Sequence, residues 1–302
     1  MLSFQDIRLS DRPWADKLFR MGNNNSEEYN FSFSYIWKEV FAYKAARMND
    51  YVIIGSFKPG HPPAYLFPAG SGDVVPVLEA LKNTADEMGD PLVFYCVLAP
   101  HKKLLEALYP GRFVFMELTD YYDYVYSAES LITLSGKKLH SKRNHINRFK
   151  EYYPDWSFEP ITPKDLPEVM EMNEKWHKEN EIYRDRTFDD EVMSVDNAMH
   201  DLFALGMDGG LLRAGGKVVA FSMGEPLNTD TYLVHIEKAL TEVPGAYSMI
   251  NQQFASHYCV DFLYINREDD SGNEGLRKAK RSYRPLFMVE KYAAKMVDKV
   301  SR

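Results

Sequence analysis

Asn266-Arg-Glu-Asp-Asp-Ser-Gly-Asn-Glu-Gly275, followed by Leu276-Arg-Lys-Ala-Lys-Arg-Ser-Tyr-Arg-Pro285, is the stretch on which the reading of the fold turns. The four residues before it, 262–265, are Phe-Leu-Tyr-Ile, a short apolar run that reads as a buried strand. Residues 275–283 read as a helix that Pro285 ends, because proline can neither donate the next backbone hydrogen bond nor clear the preceding turn. Between strand and helix stand Glu268, Asp269, Asp270 and Glu274, and the sign of charge then reverses through Arg277, Lys278, Lys280, Arg281 and Arg284. Acid first and base last suits a helix dipole and a solvated loop. The same order also suits a ligand site, since open sheets collect free backbone N–H groups where strand tips meet helix N-termini.

Over the whole chain, 302 residues allow one large domain or two ordinary ones. A hydrophobic share of 45%, with 14% aromatic, is ample for packed cores. The net charge of −8 excludes a surface that coats nucleic acid everywhere but leaves room for a local basic patch. Two cysteines, Cys96 and Cys259, are too few for a disulfide framework, so buried thiols in a reducing compartment are expected. No signal segment opens the chain, and its longest apolar run, residues 92–99, falls far short of the roughly 20 residues a membrane helix needs. The expectation is a cytoplasmic protein without a transmembrane segment.

Upstream, residues 11–21 and 33–41 read as helices, and residues 42–48 and 51–57 as strands joined at Asn49-Asp50. A strand at 64–68, a helix at 73–88, a buried strand at 91–99 and a helix at 101–109 follow, then strands at 113–118 and 121–134. Residues 136–150 come next and contain no acid at all. Leu139, Ile146, Phe149 and Tyr153 form their apolar stripe, with Lys138, Lys142 and His145 on a neighbouring face. So basic a helix in an acidic protein needs either internal carboxylates or a phosphate-bearing partner.

The boundary is placed at Tyr153, and the order of elements then starts again. A strand at 157–161, helices at 162–178 and 189–205, a hairpin turning at Gly215-Gly216, a strand at 231–237, a helix at 245–260 and a closing strand at 286–292 complete it. Two domains, 1–153 and 154–302, are expected, each an α/β (α+β) unit with a mixed central sheet flanked by helices.

That order resembles the GNAT acyltransferase fold, and two copies in tandem resemble Fem-type peptidyltransferases. Gly136-Lys-Lys-Leu-His140 with Lys142-Arg-Asn-His145 resembles the basic helix in the catalytic region of phosphatidylglycerol lysyltransferases and their soluble relatives. Gly216-Lys-Val-Val-Ala-Phe-Ser222, His235-Ile-Glu-Lys-Ala239 and Asn266-Arg-Glu-Asp-Asp270 with Gly275-Leu-Arg-Lys-Ala-Lys280 are similar to motifs of its second half. The resemblance implies transfer of an aminoacyl group from charged tRNA to an acceptor. The membrane family's acceptor is a lipid head group; a small molecule or peptide stands beside it here, because the preceding membrane helices are lacking. Acetyl-CoA or another acyl-CoA is the alternative donor, and no cofactor is required otherwise. The turn where acetyl-CoA enzymes hold pyrophosphate reads Glu242-Val-Pro-Gly245-Ala-Tyr247, which brings an acid, removes an N–H and replaces a small residue. A non-catalytic module that binds an amino acid or an RNA end is the reading from another class.

Acyl transfer needs a base, an oxyanion donor and a proton for the leaving group. Glu237 is the expected base, with His235 its competitor on the same strand face, and Tyr283 the proton donor. Asn266, Asp269, Asp270, Arg277 and Lys280 are the expected substrate contacts: the two aspartates for an α-ammonium group, Arg277 and Lys280 for phosphate or the oxyanion. Lys138, Lys142, Arg143, His145 and Arg284 are expected to meet the donor's phosphates. No metal site is expected, since His140 and His145 have no cysteine or carboxylate at ligand spacing.

Overall fold

The computed structural model describes residues 2–180 and 186–297, which form two mixed sheets with flanking helices. In chain order come β1 (Gln5–Asp6), α1 (Arg12–Gly22), α2 (Phe31–Ile36), α3 (Lys38–Phe41), β2 (Tyr43–Met48), β3 (Tyr51–Ser56), β4 (Ala64–Leu66) and β5 (Ala69–Gly70). Next are α4 (Val75–Met88), β6 (Val93–Leu98), α5 (Ala99–Leu108), β7 (Phe113–Glu117), β8 (Asp123–Ser127), α6 (Ala128–Thr133) and α7 (His140–Tyr152). The rest are β9 (Ser157–Pro160), α8 (Leu166–Asn180), α9 (Arg186–Asp201), β10 (Asp208–Ala214), β11 (Lys217–Pro226), β12 (Thr231–Ala239), α10 (Ala246–Tyr258), β13 (Tyr264–Asn266), α11 (Glu274–Ser282), β14 (Phe287–Val289) and β15 (Lys291–Met296).

The first sheet runs β1-β2-β3-β4-β6-β15-β7, with β5 on β3, and the second runs β14-β8-β13-β12-β11-β10-β9. Each holds a parallel pair, β4 with β6 and β12 with β13. Each also takes one strand from the other end of the sequence: β15 lies between β6 and β7, and β8 lies between β13 and β14. The compact units are therefore Met1–Asp123 with Asp269–Gly272 and Met288–Arg302, and Tyr124–Glu268 with Asn273–Phe287. The sequence placed the division at Tyr153; the division follows the strand exchange instead, because a strand belongs to the sheet that satisfies its backbone hydrogen bonds.

Two other expectations change at this crossover. Residues 121–134 are not one strand, because β8 ends at Ser127, whose side chain accepts from Ser130 N and starts α6. Ala128, Leu131 and Leu134, at helical spacing, are the residues buried here. Residues 286–292 likewise hold one strand and the start of another in a different sheet. Residues 262 and 263 precede β13, and Leu263 is 65% exposed.

In the first unit α4 covers the sheet with Val77, Leu78 and Leu81, packed with Ile53, Phe94 and Val97. In the second, Phe149, Leu212, Phe221, Met249 and Phe254 are buried. There Gly245, with φ 87, caps the start of α10, and a Cβ at that residue would stand 2.3 Å from the His145 carbonyl oxygen. Glycine is what lets α7 lie directly on the first turn of α10.

Candidate active site at the end of a parallel pair

β12 and β13 pair only at Thr231, Tyr232 and Leu233, against Tyr264, Ile265 and Asn266. Beyond that point β12 continues to Ala239 while the other chain turns away, so the two backbones part at the carboxyl ends of the strands, and the crevice is this gap between them. A register shift against β11 between Met223 and Gly224 leaves His235 as the extra residue on β12. Glu237 is two residues further along.

Side chains cross the crevice where backbone pairing stops. Glu237 Oε1 accepts from Arg267 Nη2 at 2.9 Å, and Glu237 Oε2 accepts from Asn251 Nδ2 at 2.9 Å. The guanidinium carbon of Arg267 lies 4.9 Å from the ring centre of Tyr283 and 5.6 Å from that of Tyr126. Lys280 Nζ donates to the Arg267 carbonyl at 2.5 Å, and Tyr126 OH donates to the Lys280 carbonyl at 2.8 Å. The Tyr283 hydroxyl reaches Ser248 Oγ at 3.4 Å, and Lys142 Nζ sits 3.9 Å above the Tyr283 ring. Two buried polar atoms here have no hydrogen-bond partner, Arg267 Nη1 and Asn251 Oδ1. Buried polar groups are nearly always paired, so a donor and an acceptor left open on either side of one carboxylate point to a ligand.

Burial disfavours the charged form of Arg267, but Glu237 outweighs it and the guanidinium is held more firmly charged. Burial pushes the Tyr283 phenol up to about 12, against the nearby Arg267. Lys142 moves the other way: burial, then Arg267, lower it to about 8, with Glu237 opposing. His235 is fully buried between Glu225 Oε1 at 3.2 Å and Glu268 Oε1 at 2.8 Å. Burial works against its charge, yet the two carboxylates prevail and raise it to about 9.

The expected site residues divide accordingly. Glu237, Tyr283 and Lys142 gather around Arg267. His235 has both ring nitrogens donating to carboxylates, so no lone pair is left for a base. Asn266 is buried and its Oδ1 accepts from Glu268 N at 2.7 Å, shaping the turn that gives Glu268 φ 57. Asp269 accepts from Ser271 N and Oγ, each at 2.9 Å, and Asp270 from Gly272 N at 3.0 Å; both belong to the first unit and tie their own loop. Arg277 and Lys280 do not act as a pair, since Arg277 is half-buried while Lys280 is buried on the Arg267 carbonyl. Arg143 donates to the Leu134 and Gly136 carbonyls and holds the loop before α7. Lys138, His145 and Arg284 are exposed. The basic face of α7 is instead hollowed by about 210 Å³ among His140, Arg143, Asn144, Asn147, Lys150 and Gln252.

Sequence reasoning missed Asn251, Ser248 and the role of Arg267. The first two stand three residues apart on α10 among buried Ala246, Met249, Ile250 and Phe254, and that polar pair on an apolar helix was the available signal. The turn at residues 242–247, already unsuited to pyrophosphate by sequence, is otherwise engaged: Glu242 pairs with Lys175, and α7 covers the first turn of α10. In the first unit Glu27, Glu28 and Asp123 offer oxygens within 4.8 Å of one another, a spacing that would suit a cation. Their centre holds the ammonium of Lys291, at 2.9, 2.6 and 2.5 Å from the three carboxylates.

Comparison with known proteins gives a family and a fold. A family model, phosphatidylglycerol lysyltransferase, C-terminal, matches residues 19–295. A conserved protein of unknown function from Bacteroides thetaiotaomicron is 38% identical with a TM-score of 0.94, covering 98% of this chain and 100% of the other. L-PGS from Bacillus licheniformis superposes with a TM-score of 0.70 at 16% identity, over 100% of this chain and 95% of that one. An uncharacterized protein of Mycoplasmoides gallisepticum, MYCGA3080, is 25% identical over 183 residues, which is 58% of this chain and 56% of the relative's length. Each unit has the mixed sheet flanked by helices that the order of elements suggested.

Proposed function

Because the chain belongs to the phosphatidylglycerol lysyltransferase C-terminal family, a family of acyltransferases, we propose that it moves an aminoacyl group from an aminoacyl-tRNA, or a similarly activated ester, to an amine or hydroxyl acceptor. The reaction belongs to the crevice around Glu237 and Arg267. The observation that carries this reading is the pair of open atoms, Arg267 Nη1 and Asn251 Oδ1. An aminoacyl ester offers both complements: its carbonyl oxygen suits the guanidinium, and its α-ammonium suits the amide oxygen beside Glu237. An acetyl group would leave the amide oxygen unpaired.

Arg267 then stabilises the tetrahedral oxyanion, since it is a fixed cation held by Glu237 in a water-poor setting. Tyr283 keeps its proton across the working range and can lend it to the leaving oxygen. Glu237, expected to be the base, already accepts on both oxygens, and its part in this reading is to aim Arg267 and Asn251. The hollow on α7 supplies a basic surface for the donor's phosphates. The covered first turn of α10 weighs against an acyl-CoA donor, because pyrophosphate needs those N–H groups. Small-molecule, peptide and lipid-head-group acceptors all present the amine or hydroxyl required.

The test is binding of charged tRNA, uncharged tRNA and acetyl-CoA at two salt concentrations, followed by transfer of a labelled aminoacyl group to a panel of acceptors. Salt-sensitive binding that favours charged tRNA, with transfer, is the expected result. Tight acetyl-CoA binding without tRNA affinity overturns it. Binding of charged tRNA with no transfer to any acceptor would make the chain a binding module.

A further inference from the structure

Resting on the acyl-transfer reading, we propose that Lys142 is the group that takes the acceptor's proton as the new bond forms. Lys142, Arg267 and Lys280 all lie in or against the crevice, and two of these are engaged: Arg267 with Glu237, and Lys280 with a carbonyl. Lys142 has no hydrogen-bond or ion-pair partner among the described residues, although its side chain is half-buried. Its close neighbour is the face of Tyr283, which holds the ammonium by position without using any of its N–H bonds.

The placement is firm. Lys142 is in the first turn of α7, and that helix is anchored by buried Ile146 and Phe149 and by the contact of the His145 carbonyl with Gly245. Each packed element presents a distinct group to it: β12 brings Glu237, the end of β13 brings Arg267, and the chain after α11 brings Tyr283. On α10, Ser248 touches Tyr283 and Asn251 touches Glu237, and neither titrates. Of these groups, Arg267 stays charged and Tyr283 stays protonated up to about 12. His235, two residues before Glu237, has no free lone pair. Lys142, lowered to about 8 first by burial and then by Arg267, is the side chain that changes charge near neutrality. Roughly one-tenth of it is neutral at pH 7 on that basis, enough for a general base whose acid form is then strong enough to return the proton.

The step balances within the site. The neutral amine of Lys142 removes a proton from the acceptor's N–H or O–H as that atom attacks the ester carbonyl carbon. The carbonyl oxygen takes up negative charge against Arg267 Nη1. When the intermediate collapses, the carbon–oxygen bond to the donor's ribose breaks. The leaving oxygen takes its proton from Tyr283, whose hydroxyl is then restored by the proton that Lys142 carries. One ester and one acceptor give one acylated acceptor and one free ribose hydroxyl.

The experiment follows kcat and KM against pH for the wild type, Lys142→Arg and Lys142→Met, beside competitive amine labelling of the folded protein read by mass spectrometry. The wild-type kcat should climb with pH and level off above about 8, following the titration of Lys142. Lys142→Arg keeps the charge but cannot give up a proton, so kcat should fall about 100-fold or more with donor KM nearly unchanged. Labelling of Lys142 should reach half its maximum near pH 8, well below the ordinary lysine range of about 10.4. A wild-type rate and pH limb that survive in Lys142→Arg, or a Lys142 that labels only in the ordinary lysine range, would overturn the proposal while leaving acyl transfer standing. Absence of transfer by the wild type with any donor and acceptor would instead remove the reaction itself, and the role of Lys142 with it.

Discussion

The two units end their parallel pairs in opposite ways. In the first, the β4–β6 ladder stops at Leu66 and Tyr95, and the next residues are Phe67 and Cys96. Phe67 stacks on His101 at 4.3 Å, His101 Nδ1 lies 3.1 Å from the Tyr29 hydroxyl, and that hydroxyl lies 3.3 Å from the Cys96 carbonyl. Aromatic rings thus fill the place beyond the ladder, and burial lowers His101 to about 4, so it is neutral there. In the second unit the β12–β13 ladder stops at Leu233 and Asn266, and the side chains past its end are charged: His235, Glu237, Arg267 and Glu268. The same backbone divergence is plugged in one unit and left with two open polar atoms in the other. Duplication of a fold therefore does not duplicate its chemistry, which depends on the few side chains placed past the last ladder pair.

The contrast is most vulnerable at Lys291. If the first unit's charges are structural, Lys291→Met leaves Glu27, Glu28 and Asp123 buried without their ammonium. Removing one partner of a buried charge cluster costs about 3–5 kcal/mol, which denaturant unfolding would register. A loss below about 1 kcal/mol would mean that the acids are already neutral or open to water. In the second unit the corresponding probe is catalytic. Arg267→Met should lower kcat about 10²–10³-fold, the usual cost of one oxyanion donor, with the unfolding midpoint measured alongside to separate activity from folding. An active Arg267→Met enzyme would empty the crevice of its role.

His235 tests the same contrast through pH. Its folded value near 9 stands above the ordinary histidine value, because Glu225 and Glu268 outweigh burial. A raised value means that the stabilisation is fully present below about pH 6.5 and is lost as pH climbs through 9. The swing is about 3 kcal/mol. Melting temperature measured from pH 6 to pH 9.5 should fall across that window, and His235→Gln should flatten the fall while lowering stability at pH 6. His101, lowered to about 4 in the first unit, contributes with the opposite sign: stability gained as pH rises from 4 and essentially complete by about pH 7.5, below most of the His235 loss.

Whether a feature was legible in the sequence depends on where each residue's partners lie. The hairpin of β2 and β3 was legible because Asn49 and Asp50 sit between two apolar runs, and Asn49 takes the positive φ the turn needs. The exchange of β8 and β15 was not, since nothing local in Asp123–Ser127 or Lys291–Met296 says which distant strand will pair with it. The sequence singled out Glu237 as a base, Tyr283 as a proton donor and Lys142 as a phosphate contact, but could not show that all three stand around Arg267. His235 and Lys280 have partners the sequence could not supply, since each is engaged by groups elsewhere in the chain, Glu225 and Glu268 for one, the Arg267 carbonyl for the other. Asn251 left a weak trace, as a polar residue on the apolar face of α10, but its purpose shows only once Glu237 is seen beside it.

The smallest expected effect tests the plugged side directly. Tyr29→Phe keeps the ring against His101 but removes the hydroxyl that bridges His101 and the Cys96 carbonyl. Loss of such a hydrogen bond costs about 1 kcal/mol, since the ring continues to fill the space. Transfer should change by less than about twofold, because on this reading nothing beyond the β4–β6 ladder touches a substrate. The measurement pairs a denaturation curve with a rate. A small stability loss at constant kcat keeps the first unit as a scaffold. A kcat that falls while stability holds would mean that the aromatic plug is part of the reaction's machinery, and the contrast between the two ladder ends would have to be redrawn as two cooperating sites.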